Sequence, residues 1–425
     1  MAKKFQTLKG FYDVLPEKQR LWRYFEDKAL GILDQYSYQE IGLPVVEPTN
    51  LFVESVGLNT DIVEKEMYSW EDSLNKDKLT LRPEGTAGCV RAIIENNLTY
   101  NGAVKLFYRG AMFRHENVQK GRQRQFHQFG IESFGFDSFE SDAEQILLLA
   151  RLWESLGLKN VSLEINSIGD PEDRVIYREK LISYFKENLD VLDNDAKRRL
   201  NSNPLRILDS KNKEMQSMLE AAPKLIDYLS KAAKNHFDGL CDILSKHNIE
   251  FKINKRLVRG LDYYNRTVFE WVTDDLGSQS TIAGGGRYDY LVEKLGGNPT
   301  FACGFAIGVE RIILLLESLG EENNSILPDV YVVNLGDIAG PYAFFIAEQL
   351  RNKGLKISLN LEGSSFKSQM KKADKSNAKV ALIIGDDEAK NKTIQVKFIR
   401  QDGIQESVKE INLFKYINEK INFEK

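Results

Sequence analysis

Two apolar runs, Val104 to Phe113 and Phe126 to Phe136, constrain this chain more than any other feature. The stretch between them is polar and basic, with Arg114, His115, Glu116, Gln119, Lys120, Arg122, Gln123 and Arg124. Runs of this length flanked by polar segments read as two strands joined by a basic loop. A side-chain period of two would put Arg114 and Glu116 on one face. Alone, such a pair fits a surface ion pair. The density of Arg, Gln and Glu around it points instead to a ligand face. A guanidinium fork suits phosphate oxygens, and a glutamate can accept from an exocyclic amine.

Around this pair the chain is organised in blocks. At 425 residues it is too long for one core, so two or three domains are expected. Trp22, Phe25, Ala29, Ile32, Leu33 and Tyr36 recur at helical spacing over Pro16 to Tyr36. An extended, proline-bounded segment from Leu43 to Pro48 follows. Residues 78–170 are strand-rich, with Lys78 to Leu81 as the first run and a helix predicted over Glu140 to Leu156. No glycine occurs between Gly169 and Gly239, and Leu, Lys, Asp and Glu fall at helical spacing there. We read residues 169–249 as a helical insertion between strand-rich blocks. Strand character returns at Thr267 to Thr273, and an amphipathic helix begins near Gly308. The polar seam Glu321 to Ser325 closes a first domain, residues 1–325. From Pro328 onward β and α segments alternate, which predicts a small α/β domain with a largely parallel sheet over residues 328–425.

Composition narrows the function classes. Charges of 58 and 62 give a net of −4, so any nucleic-acid contact must come from local basic patches rather than from a basic surface. Apolar runs such as Ile312 to Leu316 fall far short of a membrane helix, and no apolar stretch follows the basic start of the sequence. Cys89, Cys241 and Cys303 are too scattered for a disulfide framework or a zinc ribbon. A reducing cytoplasm is therefore the expected compartment. With four histidines, a His-rich metal site is not expected.

The Phe113-Arg114-His115-Glu116 strand end, the basic loop and Gly308-Val309-Glu310-Arg311 resemble motifs two and three of class II aminoacyl-tRNA synthetases. The helix, strand and Pro44 segment resembles motif one, the dimer-forming element. Thr80-Leu81-Arg82-Pro83-Glu84-Gly85-Thr86 and Arg259-Gly260-Leu261-Asp262-Tyr263-Tyr264 narrow the resemblance to the histidyl-tRNA synthetase family, over the whole chain. The resemblance implies an α+β catalytic domain, an antiparallel sheet flanked by helices, with the helical insertion and a C-terminal α/β anticodon-binding domain. It implies that L-histidine is activated by ATP with magnesium, that pyrophosphate is expelled, and that the acyl group moves to the 3′ end of a histidine tRNA. It also implies a homodimer.

By the same resemblance Arg259, Arg114 and Arg311 would be catalytic. Arg114 would hold the α-phosphate, Glu116 the adenine amine, Phe126 one adenine face and Arg311 the other. Glu84, Thr86 and Gln128 would hold the α-amino group. Glu132 and Tyr264 would face the imidazole nitrogens, with Tyr263 nearby, because selection of histidine needs both nitrogens paired. Gln119, Lys120 and Arg122 would approach the tRNA acceptor end. Lys367, Lys371 and Lys375, at helical spacing opposite Phe366, Met370 and Ala373, would meet the anticodon arm; read alone, such a stripe is a solvated helix face. The magnesium ligands are not fixed by sequence, carboxylates near motif three being candidates. Gly284-Gly285-Gly286 lacks dinucleotide spacing and reads either as a bulge or as a ligand contact. Cys303 reads as a small core residue, and His115 and His127 as structural or substrate-adjacent.

Asn117-Val118 stands where the family commonly has Arg-Pro, and Gln123 where it has tyrosine. Both changes bear on acceptor-end contacts rather than on adenylate chemistry. Two rival readings remain at this level. One is a synthetase-like regulatory subunit of ATP phosphoribosyltransferase, which usually lacks the C-terminal domain and the catalytic arginines. The other is a synthetase for another amino acid, against which Arg259 to Tyr264 argues.

Overall fold

A computed structural model describes residues 4–58, 60–202, 204–210, 212–320, 327–399 and 405–421. The polar seam at 321–325 lies outside the described residues. The chain divides into two compact units, Met1–Glu322 and Asn323–Lys425.

The first unit is built on an eight-stranded sheet. In spatial order its strands are Gln39–Glu40, Val104–Phe113, Gln125–Phe134, Ala302–Gly308, Thr281–Arg287, Asn265–Val272, Ser162–Ser167 and Phe251–Ile253. The six central strands pair antiparallel, and the two outermost pairs are parallel. Alternate residues of each strand feed opposite faces. Phe107, Phe129, Ile131 and Phe305 join a core made with the helices Pro16–Gln35, Phe139–Ser155 and Val309–Ser318. Leu106, Tyr108, Phe134 and Val268 join a second core with the helix Thr86–Glu95 and the inserted segment.

That segment contains the helices Pro171–Glu187, Asn194–Ser202 and Gln216–Ala221 and short 3-10 turns. Asp170 and Asp173 form a capping box that starts the first helix. The next helix, Lys231–Lys246, sends Phe237, Leu240 and Leu244 into the first core instead. Strands Val46–Pro48, Tyr68–Glu71 and Lys78–Leu81 make a separate small sheet.

The second unit has a five-stranded sheet in the order Ile357–Leu359, Val330–Leu335, Val380–Gly385, Thr393–Phe398, Gln405–Lys409. Its first three strands are parallel and its last two antiparallel, so the sheet is mixed rather than largely parallel. The connection from Gly385 to Thr393 holds only the short helix Asp386–Asn391. That is too little chain for the crossover a parallel neighbour needs.

One buried charge cluster ties the sheet to its covering helix. Arg287 is 0% exposed and bonds Asp142 at 2.7 Å, Asp289 at 3.0 Å, the Ser141 hydroxyl and the carbonyls of Phe136 and Ser138. Asp142 also faces His236 Nε2 at 2.8 Å. Burial alone would raise the Asp142 carboxyl, but Arg287 and His236 outweigh it and hold it well below the usual range. Breaking one partner of such a pair strands the other charge in a dry interior. Arg287→Met should therefore lower the unfolding free energy by about 3–5 kcal/mol in urea titration. A loss below about 1 kcal/mol would refute that role.

Candidate active site

The hairpin Val104–Phe113/Gln125–Phe134 is ten residues long on each side, with Phe113 opposite Gln125. Arg114 and Glu116 lie just beyond it, so the strand-period reason for their shared face does not apply. Arg114 N still donates to Arg124 O at 2.9 Å, and then Glu116 N donates back to Arg114 O at 2.8 Å. This fold of the backbone, not a pleat, sets the two side chains 3.8 Å apart. Glu116 also pairs with Arg122 at 2.8 Å. Arg114 Nε donates to Pro83 O at 2.9 Å, and its guanidinium lies 5.2 Å from the Phe126 ring centre. Gln119 and Arg122 close the loop tip by exchanging backbone hydrogen bonds, and Lys120 is exposed.

A cavity of about 280 Å³ opens over this hairpin. It gathers Arg114, Glu116, Phe126 and Arg311 with Glu84, Thr86, Gln128, Arg259, Tyr263 and Tyr264, and Arg122 reaches its rim. Nearly every residue expected at the reaction centre therefore converges. Lys367, Lys371 and Lys375 belong to the other unit, exposed on the helix Phe366–Lys375. Phe366 is exposed with them; the buried positions of that helix are Gln369 and Ala373.

Arg259 is held from several sides. Its Nη1 donates to Glu270, and it lies across Gly284, where an added Cβ would stand 2.7 Å from that nitrogen. The absence of a side chain there is what lets the guanidinium lie flat on the sheet. The loop carrying it is fastened by two arginines of the insertion. Arg206 donates to Gly260 O, and Arg174 Nη1 donates to Tyr264 O at 2.8 Å. Neither was legible in the sequence, because an arginine in a helical, Lys-rich segment carries no signature of a distant backbone contact. On the facing side, Arg311 donates to Thr281 O. Burial, and after it repulsion from Arg122, lowers its pKa against the pull of Glu116 and Glu270. Two buried polar atoms, Arg259 Nε and Gln128 Oε1, have no protein partner. Groups of this kind are costly unless a ligand or water meets them.

The floor of the cavity is acidic. Glu84 accepts from Thr86 N at 2.7 Å and Ala87 N at 2.9 Å at the start of the helix Thr86–Glu95, where a carboxylate is favoured. Glu132 is 1% exposed and sits one layer behind the cavity wall. Its carboxylate accepts from Thr86 Oγ1 at 2.6 Å, Tyr108 OH at 3.1 Å and Tyr288 OH. Tyr108 and Tyr288 were missed in the sequence, which shows only two aromatic residues on strand-like segments. Tyr263 and Tyr264 are buried, with ring centres 4.6 Å apart. Glu310, quoted earlier without a role, accepts from His127 N and faces His127 Nδ1 at 2.9 Å. Cys303 is buried, and burial pushes its thiol far up, so it is a core residue. Among the described residues no cluster of three His, Cys, Asp or Glu side chains could hold a metal unaided, and no helix is long and apolar enough to cross a membrane.

Comparison with known proteins gives the same picture over the full chain. A family model described as histidyl-tRNA synthetase matches residues 10–312, and one described as anticodon binding domain matches residues 329–420. The histidine–tRNA ligase of Methylobacillus flagellatus is 60% identical over 406 residues, 95% of this chain and 97% of that one. The histidine–tRNA ligase of Dechloromonas aromatica is 56% identical over 403 residues, 95% and 94% of the two chains. The crystal structure of the apo S. aureus histidyl-tRNA synthetase superposes with a TM-score of 0.82 at 34% identity, covering 97% of this chain and 100% of that one.

The buried floor has a consequence for stability. Burial, reinforced by the nearby Glu84, pushes the Glu132 carboxyl up to about 8, against the opposing hydroxyl bonds. The folded state therefore holds a proton that the unfolded chain has already lost, between the ordinary glutamate range and about 8. Stability from this group is present at low pH and falls as pH rises through that window. In Glu132→Gln the decline of Tm between about pH 5 and 8 should be shallower than in the parent chain. Parallel Tm profiles would show that Glu132 does not titrate there.

Proposed function

Because this chain belongs to the histidyl-tRNA synthetase family, with histidine–tRNA ligation as its reaction, we propose a residue-level assignment of that reaction to the cavity. The observation that carries it is the position of the two orphaned atoms. Gln128 Oε1 is an acceptor suited to an α-ammonium, and Arg259 Nε is a donor suited to a carboxylate or phosphate oxygen.

In the first half-reaction a histidine carboxylate oxygen attacks the α-phosphorus of ATP, and the bond to pyrophosphate breaks. Negative charge accumulates on phosphate oxygens, so fixed cations aimed there supply most of the stabilisation. Arg114 and Arg259 take the α-phosphate between them. Arg311 spans the adenine face and the phosphates, Phe126 stacks on the opposite face, and Glu116 accepts from the adenine amine. Glu84, Thr86 and Gln128 hold the ammonium. Tyr264 meets the imidazole directly. Glu132 acts from the wall behind Thr86, either through a small side-chain shift or by fixing the hydroxyls that line the pocket. In the second half-reaction a 3′-terminal tRNA hydroxyl attacks the acyl carbon and AMP leaves.

Magnesium bound to nucleotide takes most ligands from phosphates and water, so one or two carboxylates suffice. Of the glutamates lining the cavity, Glu310 and Glu270 would hold it beside the bonds they already make to His127 and Arg259, and it would neutralise charge on the departing pyrophosphate. Residues 1–325 form the catalytic domain in this reading, interrupted by 169–249, and residues 328–425 bind the anticodon arm. Gln119, Lys120 and Arg122 approach the acceptor end, and Lys367, Lys371 and Lys375 neutralise anticodon-arm phosphates. The exposed Val45, Val46 and Trp70 at the small sheet support a homodimer, and a cytoplasmic location suits its tRNA substrate and the free cysteines.

ATP–pyrophosphate exchange with each of the twenty amino acids tests the reading: histidine alone should support it. Exchange with another amino acid, or with none, would overturn it. Arg259→Ala should slow histidine-dependent exchange about a hundredfold or more, the usual cost of one preorganised donor. Near-parental exchange would remove Arg259 from the centre. Replacing Lys367, Lys371 and Lys375 together with Ala should raise the KM for tRNA and flatten the salt dependence of charging, leaving exchange intact. An unchanged KM and salt slope would reduce the stripe to a solvated face.

A further inference from the structure

Residues 8–12 precede the first helix, Pro16–Gln35. They form a turn, with Phe11 N donating to Leu8 O at 3.0 Å, and three contacts leave it. Gly10 O accepts from both Arg124 N at 2.9 Å and Gln125 N at 3.1 Å, where the second strand of the hairpin begins. Arg124 O in turn accepts from Arg114 N. The Phe11 ring meets Tyr68 edge-on at 6.2 Å, and Tyr68 meets His115 at 5.5 Å. Tyr12 OH donates to Glu310 Oε1 at 3.1 Å. That carboxylate also accepts from His127 N through both its oxygens, at 2.9 and 3.0 Å.

Each contact ends one residue or one hydrogen bond from a group assigned to ATP. Arg124 and Gln125 lead to Arg114 and Phe126. His115 lies between Arg114 and Glu116. Glu310 precedes Arg311, and His127 follows Phe126. The turn thus touches both arms of the nucleotide half, the hairpin and the start of the helix Val309–Ser318. Most of the histidine half is held by other groups, Thr86, Tyr108 and Tyr288 around Glu132 and Arg174 at the Tyr264 carbonyl, although Gln128 adjoins His127. The backbone of the turn is also specific. Gly10 has φ +86°, and a Cβ there would stand 2.7 Å from Arg124 Cγ. A side chain at this position would be strained and would push the loop base away.

We propose that Gly10–Tyr12 is a positioning element for the ATP half of the site. It locks the basic hairpin to the carboxylate beside Arg311, so that the cations which clamp the nucleotide keep one spacing before ATP arrives. Binding to a preset clamp avoids the entropy of ordering it, and loosening the lock falls on ATP rather than on histidine. The inference rests on the assignment of Arg114, Phe126 and Arg311 to ATP.

The test uses Tyr12→Phe and Gly10→Ala in the full chain, with Arg114→Ala as reference. The readouts are the KM for ATP in histidine-dependent exchange and the Kd for histidine by calorimetry without ATP. Tyr12→Phe keeps the ring and removes only the hydroxyl, so it retains the fold if Gly10→Ala does not. The expected result is a three- to tenfold rise in the ATP KM for Tyr12→Phe with the histidine Kd within twofold of the parent, about what one ordinary hydrogen bond is worth. An unchanged ATP KM, or an equal weakening of both substrates, overturns the proposal. If Arg114→Ala itself leaves the ATP KM unchanged, the nucleotide assignment falls and the positioning role with it. If Arg114→Ala raises it while Tyr12→Phe does not, the positioning role alone falls.

Discussion

A carboxylate without water is the constraint around which the catalytic unit is arranged. Glu132 lies in the middle of the sheet at 1% exposure, where burial outweighs its hydroxyl partners and favours the protonated acid, and its oxygens must still be hydrogen-bonded. Its donors come from three places far apart in sequence: Thr86 at a helix start, Tyr108 on the neighbouring strand, and Tyr288 just past the strand Thr281–Arg287. Making room for them fixes further positions. A Cβ at Gly304 would strike the Glu132 carboxylate, and Cβ atoms at Gly85 or Gly130 would strike the Tyr108 ring. Several separate segments thus meet at one desolvated group, and their mutual spacing defines the wall of the cavity.

From that wall the charge pattern divides the cavity. Glu84 lies at one end, its carboxylate met by Thr86 N and Ala87 N and suited to an ammonium, with the proton-holding Glu132 behind it. Arg114, Arg122 and Arg311 crowd the other end, suited to phosphates. Arg259 stands between them, paired with Glu270 and laid over Gly284, where a carboxylate and a phosphate would have to meet. A site with its cations already in place has little reorganisation left to do when charge develops. The buried hydroxyls around Glu132 brace one end, and the backbone bonds at the base of the hairpin brace the other.

The rival readings separate on the same features. A regulatory subunit that only binds histidine has no use for three converging arginines and an anticodon-binding module. This chain has the arginines in one cavity and matches that module over residues 329–420. A synthetase for a different amino acid is set aside by the two histidine–tRNA ligases that match nearly the whole chain at 60% and 56% identity.

The sequence by itself determined the main elements and the types of residue that line the cavity. The hairpin, the long first helix, the glycine-poor insertion and the alternating C-terminal unit all follow from local periodicity, which is a property of short windows. That Arg114, Glu116, Phe126, Arg259 and Arg311 gather at one cavity was legible because each sits in a short, chemically dense motif. Tertiary structure decided what such windows cannot carry. It placed Arg114 and Glu116 beyond the strand and brought them together by a backbone fold. It moved Glu132 behind the wall and supplied Tyr108 and Tyr288 as its donors. It fastened the Arg259 loop with Arg174 and Arg206, and made the C-terminal sheet mixed. In each case the deciding interaction joins residues distant in sequence or depends on how much chain a connection contains. Desolvation and hydrogen-bond satisfaction act on the assembled interior, so they select partners only after the strands have been brought side by side.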